Sequence, residues 1–252
     1  MRIDVQTKMY GRKVGLQDIH LSFPQGETTL IIGTSGAGKS TLTKCIIQET
    51  KFSGSTTGYD RQDIAYIPQH PALNKNETAY NAVYWSARFA YPHRSKEYIY
   101  MLTDKYINKV GLNAVQNHRI RTLSGGQVQR VSIAKELIRK KNIIIADEID
   151  TGLDCGVAKS LVQMLSQITH AEGKTSIIIS HNLANIELYD NIVVLVKDST
   201  NVGRIAFFGK PSDAKSYFGV NDYVDILVKV NTPDEGGFGE ADAYISKFSR
   251  GW

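Results

Sequence analysis

The chain of 252 residues is 42% hydrophobic and 22% charged with a formal charge of +5, a profile that excludes a disordered or fibrous protein. No run approaches the roughly 18 consecutive apolar residues of a membrane span, and the opening Met1-Arg2-Ile3-Asp4-Val5-Gln6 lacks the apolar centre of a signal peptide, so a cytoplasmic location is expected. The two cysteines, Cys45 and Cys155, have no metal or redox spacing, and with no basic run longer than Arg139-Lys140-Lys141 the positive charge reads as a solvated surface with no nucleic-acid partner.

Residues 1–33 alternate with period two between turns, most clearly over 17–23 and 27–32 on either side of Pro24-Gln25-Gly26, which predicts a small antiparallel sheet feeding a buried strand. After a glycine-rich stretch, residues 40–50 place Leu42, Cys45, Ile46 and Ile47 at helical spacing. Residues 76–117 carry apolar side chains three and four apart and read as a helical insertion. Short β-branched runs at 142–146, 175–180 and 191–196, with a helix over 156–169 between the first two, imply a mainly parallel α/β sheet. From about residue 232 the chain turns glycine- and charge-rich before a short helix over 240–248.

Gly33-Thr34-Ser35-Gly36-Ala37-Gly38-Lys39-Ser40 fits G-x-x-x-x-G-K-[ST] and stands between an apolar strand and a helix, the setting this phosphate-binding pattern requires. Its glycines let successive N–H groups approach phosphate oxygens, and the helix points its positive end at the same anion. Lys39 supplies a point charge to the β- and γ-phosphates, and Ser40 offers a hydroxyl to Mg²⁺.

Ile143-Ile144-Ile145-Ala146-Asp147-Glu148 is a strand ending in two acids, at the carboxyl end where open α/β sheets bind their ligands. Asp147 suits Mg²⁺, held through its water shell, and Glu148 suits the base that orients and deprotonates a water attacking the γ-phosphate.

Between these sites lies Leu123-Ser124-Gly125-Gly126-Gln127, and with it the sequence resembles the ATP-binding domains of ABC proteins over about residues 10–209. The resemblance implies an α/β fold: a P-loop NTPase core with a mainly parallel sheet, an N-terminal antiparallel β subdomain and an inserted α-helical subdomain at about 76–140. The ATP-binding domain would span 1–231, and 232–252 would form a C-terminal tail. It also implies an ATPase that uses ATP and Mg²⁺. Tyr10 matches the residue stacked on adenine, and Thr41 joins residues 33–40 as a nucleotide contact. Gln69, in Tyr66-Ile67-Pro68-Gln69, matches the glutamine that approaches Mg²⁺ and the attacking water. Asp154 matches the D-loop aspartate, and His181 the switch histidine on the γ-phosphate.

Such domains pair head to tail as homodimers or heterodimers, so Ser124, Gly125, Gly126 and Gln127 would act on nucleotide held by the other copy. In place of the usual Asp-Glu-Pro-Thr-Ser, this chain has Asp147-Glu148-Ile149-Asp150-Thr151; a looser turn at Ile149 and an extra charge from Asp150 beside the γ-phosphate are expected. About 54 residues separate Gln69 from Ser124, which leaves room for a compact helical subdomain and none for a long coiled coil. The resemblance therefore favours a transporter subunit, peripheral on the cytoplasmic face, over a soluble ABC ATPase acting on nucleic acid or ribosomes. Residues 71–89, with Tyr80, Tyr84, Trp85 and Phe89, are the expected docking surface for an integral membrane permease. Gly203-Arg204-Ile205-Ala206-Phe207-Phe208-Gly209 and the residues to Phe218 resemble the closing segment of G-subfamily and ABC-2 exporters, so export is expected.

Overall fold

The computed structural model describes residues 1–251. β1 (Arg2–Tyr10) and β2 (Lys13–Ser22) form an antiparallel hairpin, and β3 (Thr28–Gly33) runs through the glycine loop into α1 (Lys39–Ile46). β4 (Ser53–Thr57) returns to pair with β1, and β5 (Ile64–Ile67) leads into α2 (Ala79–Ala90), α3 (Lys96–Lys109) and α4 (Gly125–Leu137). The chain continues through β6 (Ile143–Asp147), α5 (Cys155–Glu172), β7 (Thr175–Ile179), β8 (Asn191–Lys197) and β9 (Gly203–Gly209). It closes with α6 (Pro211–Phe218), α7 (Val224–Val230) and α8 (Ala241–Ser249).

The strands form one sheet in the order β4-β1-β2-β9-β8-β3-β7-β6-β5. From β8 to β5 every pairing is parallel. The antiparallel N-terminal part is not a separate sheet, because β9 pairs antiparallel with β8 and meets β2 at Leu16 and Gly203.

Period-two alternation explains why the parallel strands read as unbroken apolar runs. Leu30, Ile32, Ile144, Ala146, Ile178, Ile192 and Val194 pack on the face that carries the inserted helices. Ile31, Ile143, Ile145, Ile177, Ile179, Val193 and Leu195 pack on the opposite face with Leu42, Cys45 and Ile46 of α1. A strand buried on both faces needs apolar residues at consecutive positions, and β-branched isoleucine suits the pleat.

The stretch 76–117 is two helices. Thr78 caps α2 by accepting from the Asn81 N–H, and Ser95 caps α3 by accepting from the Tyr98 N–H. Pro92, which has no N–H to continue the ladder, lies in the break between them. Of the elements that escaped the periodicity reading, β4 is wholly Ser, Gly and Thr, β5 has four residues and α7 seven, all too weak as patterns, and β9 and α6 show only as a family-like segment.

The segment from residue 232, expected to be a tail, folds back onto the body. The Tyr244 ring of α8 lies 4.6 Å from that of Phe218 and 5.8 Å from that of Tyr217. Its hydroxyl donates to the Phe218 carbonyl at 3.1 Å, and the Tyr217 hydroxyl donates to the Tyr244 carbonyl at 2.8 Å. Tyr244→Ala is expected to cost about 1–3 kcal/mol of stability, seen as a lower denaturant midpoint with nucleotide affinity retained; an unchanged midpoint would show that α8 lends the fold nothing.

Candidate functional site

The parallel strands bring distant sequence positions to one edge. In register, Ile31 of β3 pairs with Ile179 of β7, Ile179 with Asp147 of β6, and Ala146 with Ile67 of β5. The ladder runs on past the strand ends, with Glu148 N–H donating to the Ile179 carbonyl and Ser180 N–H to the Ile31 carbonyl. The glycine loop, Glu148, His181 and Gln69 therefore all emerge from the carboxyl ends of neighbouring strands.

At the loop, Gly38 has φ +99°, a conformation costly for any residue with a Cβ, and a Cβ there would fall 2.6 Å from Leu16 Cδ2. No side chain caps α1 at this residue, so its first-turn N–H groups are left for a ligand. The Lys39 ammonium is buried and donates to the carbonyls of Gly33 at 2.8 Å and Thr34 at 3.1 Å. Burial pushes its pKa down, and the charge of Glu148 opposes the shift. Two carbonyl dipoles thus hold a cation that a phosphate would bind more strongly. The Thr34 hydroxyl in the same loop is buried without a hydrogen-bond partner.

β6 delivers the acids. The Asp147 carboxylate accepts the Tyr66 hydroxyl at 3.0 Å; burial raises its pKa, and that bond partly offsets the rise. Glu148 sits at φ +47°, the left-handed region unfavourable to a non-glycine residue, which turns the chain sharply out of the sheet. Its Oε2 accepts from Gln69 Nε2 at 2.9 Å, and its Oε1 lies 3.1 Å from His181 Nε2. Gln69 and His181 thereby each engage one oxygen of the Glu148 carboxylate.

Ser124 and Gln127 form a capping box at the start of α4: the Ser124 hydroxyl accepts the Gln127 N–H at 3.3 Å, and Gln127 Oε1 accepts the Ser124 N–H at 3.0 Å. The Ser124 O–H remains able to donate. Gly126 is required by packing, since a Cβ would fall 2.4 Å from Val157 Cγ1 of α5; Gly125 beside it faces Leu153. Asp154 caps α5 by accepting the Val157 N–H at 2.9 Å. Among the described residues no hydrogen bond joins 124–127 to 33–41. Tyr10 is half-exposed at the end of β1, its hydroxyl 3.2 Å from Thr41 Oγ1 and its ring 4.8 Å from Lys8 Nζ.

The sequence profile of the ABC transporter family matches residues 16–151, more than half of the chain. The chain belongs to that family. It is 30% identical over 231 residues to the manganese transport system ATP-binding protein MntB of Halalkalibacterium halodurans, covering 87% of this chain and 92% of that one. It is 33% identical over 219 residues to the phosphonates import ATP-binding protein PhnC 3 of a Nostoc species, covering 79% and 81%. Its fold matches that of a dimeric ATP-binding cassette bound to ADP and Pi with a TM-score of 0.67, 25% identity and coverage of 83% and 97%. As an ABC ATP-binding domain the protein is an ATPase.

In this ABC domain the expectation for Ile149 and Asp150 is overturned. Ile149 is fully buried in the main core, which fixes the turn by packing where proline would fix it by its ring. Asp150 is turned inward, 7% exposed, and accepts the Ser180 hydroxyl at 2.6 Å. Three further residues at the site gave no signal in the sequence: Tyr66 on Asp147, Ser180 on Asp150, and Gln129 of α4, whose Nε2 donates to the Gln69 carbonyl at 2.8 Å. Their residue types are common in turns and helices, and only the chain path reveals their partners.

Mg²⁺ has hard oxygen donors available in Ser40, Asp147 and the Gln69 amide oxygen, which is left over when Nε2 donates to Glu148. Among the described residues no group of three or more His, Cys, Asp or Glu could hold a metal. So sparse a protein donor set suits an ion that keeps waters and shares phosphate oxygens. Lys39→Ala is expected to weaken ATP binding at least tenfold, about 1.5–3 kcal/mol for a charge-assisted contact; a fluorescent-nucleotide titration with unchanged affinity would remove the loop from the site.

Proposed function

We propose that this ABC ATPase is the motor subunit of a membrane transporter and works as a head-to-tail pair of ATP-binding domains. The observation that carries the reading is a site divided in two: Gln69 and His181 meet Glu148 beside the phosphate loop, while among the described residues the side chains of Ser124 and Gln127 bond only to each other's backbone N–H. In the pair, nucleotide lies between residues 33–41 of one copy and Ser124, Gly126 and Gln127 of the other, with Tyr10 against the base. Asp154 stands at the same interface.

Within one site the loop amides and Lys39 bind the phosphates. Glu148 accepts the proton of the attacking water, Gln69 orients that water, and His181 contacts the γ-phosphate. Ser40, Asp147 and Gln69 would hold Mg²⁺, which would neutralise phosphate charge. Since ATP joins the two copies and its hydrolysis products carry mutually repelling charges, turnover alternates closed and open pairs.

A permease partner fits the inserted helices. Trp85 and Phe89 of α2 are 48% and 77% exposed and line a groove of about 530 Å³ with Ala72, Asn74, Lys135 and Arg139. Tyr80 and Tyr84 are only partly buried and pack against the core, so the docking surface is narrower than residues 71–89 suggested. The described residues contain no helix long and apolar enough to cross a membrane, in keeping with a peripheral subunit on the cytoplasmic face. For direction, support lies with uptake: a relative whose name states one is an import protein, and export rests on residues 203–218 alone. Those residues form β9 and α6.

Glu148→Gln is expected to bind ATP normally, lose nearly all hydrolysis and accumulate an ATP-dependent dimer on size-exclusion chromatography. Turnover at the parental rate would rule Glu148 out as the base, and a variant that stayed monomeric with ATP bound would rule out the pairing.

A further inference from the structure

The turn that replaces the usual proline and threonine carries a buried carboxylate that the scheme above does not use. Asp150 follows Glu148 by two residues and Ser180 precedes His181 by one, so the pair sits directly beneath the Glu148–His181 contact. The Ser180 hydroxyl, itself 1% exposed, donates to Asp150 Oδ2 at 2.6 Å. Ser180 Oγ in turn accepts the Asn182 N–H at 2.9 Å, which closes the turn around His181. Asp150 Oδ1 is buried with no partner. A carboxylate taken out of water with half its acceptor capacity unmet costs stability, and threonine or alanine would fill the space without that cost.

What the carboxylate contributes is geometric. The strands β6 and β7 are joined by the ladder only as far as the Glu148 N–H and the Ile179 carbonyl. Beyond that point, among the described residues, the exposed His181 ring has one hydrogen-bond partner, Glu148. The Asp150–Ser180 bond is a further tie across the same gap, short and in a dry setting where it is strong, and the Asn182 bond fixes the Ser180 end of it.

We propose that Asp150 is a positioning residue for hydrolysis: by holding Ser180 it locks the turn bearing His181 against the turn bearing Glu148 and sets the separation of those two side chains. It touches neither nucleotide nor water. This rests on Glu148 and His181 acting on the γ-phosphate as proposed above. A displacement of the order of an ångström between reacting groups is enough to slow a reaction about a hundredfold without altering substrate binding.

The test is steady-state ATPase kinetics on the full chain with a parallel fluorescent-ATP titration. Asp150→Ala and Ser180→Ala are each expected to lower kcat at least tenfold while KM and nucleotide affinity stay within about threefold, and the double variant is expected to be no slower than the worse single. Asp150→Asn keeps a carbonyl oxygen for Ser180 and is expected to retain kcat within about threefold. Parental kcat in Asp150→Ala, multiplying losses in the double variant, or a rise of KM in step with the fall in kcat would each overturn the proposal. If Asp150→Ala fails to fold, Asp150→Asn and Ser180→Ala decide between the same outcomes. Glu148→Gln run alongside separates the layers: if it hydrolyses ATP at the parental rate the underlying site reading fails, whereas an inactive Glu148→Gln with a fully active Asp150→Ala sinks only the positioning role.

Discussion

The parallel pairing of β3, β7, β6 and β5 is the constraint on which the rest depends. Parallel strands end on the same side, so fixing Ile31 against Ile179, Ile179 against Asp147 and Ala146 against Ile67 fixes where four loops begin. A one-residue slip in any pair would turn its side chains to the opposite face and bury a loop-bearing polar end. Register is held by isoleucine and leucine packed on both faces, each fully buried side chain contributing about 1.5–3 kcal/mol. Precision at the site is thus set by apolar packing in the strands that lead directly into the charged groups.

On that platform the polar groups are arranged as pairs that satisfy one another until ligand arrives. Lys39 rests on the carbonyls of its own loop, Gln69 and His181 rest on Glu148, and Tyr66 rests on Asp147. Ser124 and Gln127 cap their own helix. Each of these contacts occupies a donor or acceptor that would otherwise be stranded, and a phosphate, a water or a metal ion can replace it at modest cost. The left-handed Glu148 and the positive φ of Gly38 show where the backbone departs from regular structure to present these groups.

The inserted helices and the C-terminal segment frame the platform from two sides. Gln129 ties the helix that follows Ser124 to the backbone of Gln69. On the other side, Lys197 at the end of β8 pairs with Glu235 at 3.1 Å, and α8 closes over Tyr217 and Phe218. α8 is part of the packed body because Tyr244, Ile245 and Phe248 pack against the core, although the stretch before it has the composition of a linker.

The phosphate loop and the acids at the end of β6 were legible in the amino-acid sequence because each is a run of contiguous residues whose spacing is imposed by local geometry: glycines for a tight anion loop, an apolar strand before a carboxylate; the signature was legible as a capped helix start, and what it acts on came from resemblance. The strands buried on two faces were legible for the same reason, as unbroken β-branched runs. Gln69 and His181 were placed only through resemblance, since a lone glutamine or histidine after a strand has no local signature. What tertiary structure alone decided is which distant side chains meet: Tyr66 with Asp147, Gln129 with Gln69, and above all Asp150 with Ser180. The charge of Asp150 pointed by composition toward the phosphate, yet the full burial of Ile149 beside it turned that carboxylate inward. Side-chain direction at a turn is set by what its neighbours bury, and that depends on residues far away in the chain.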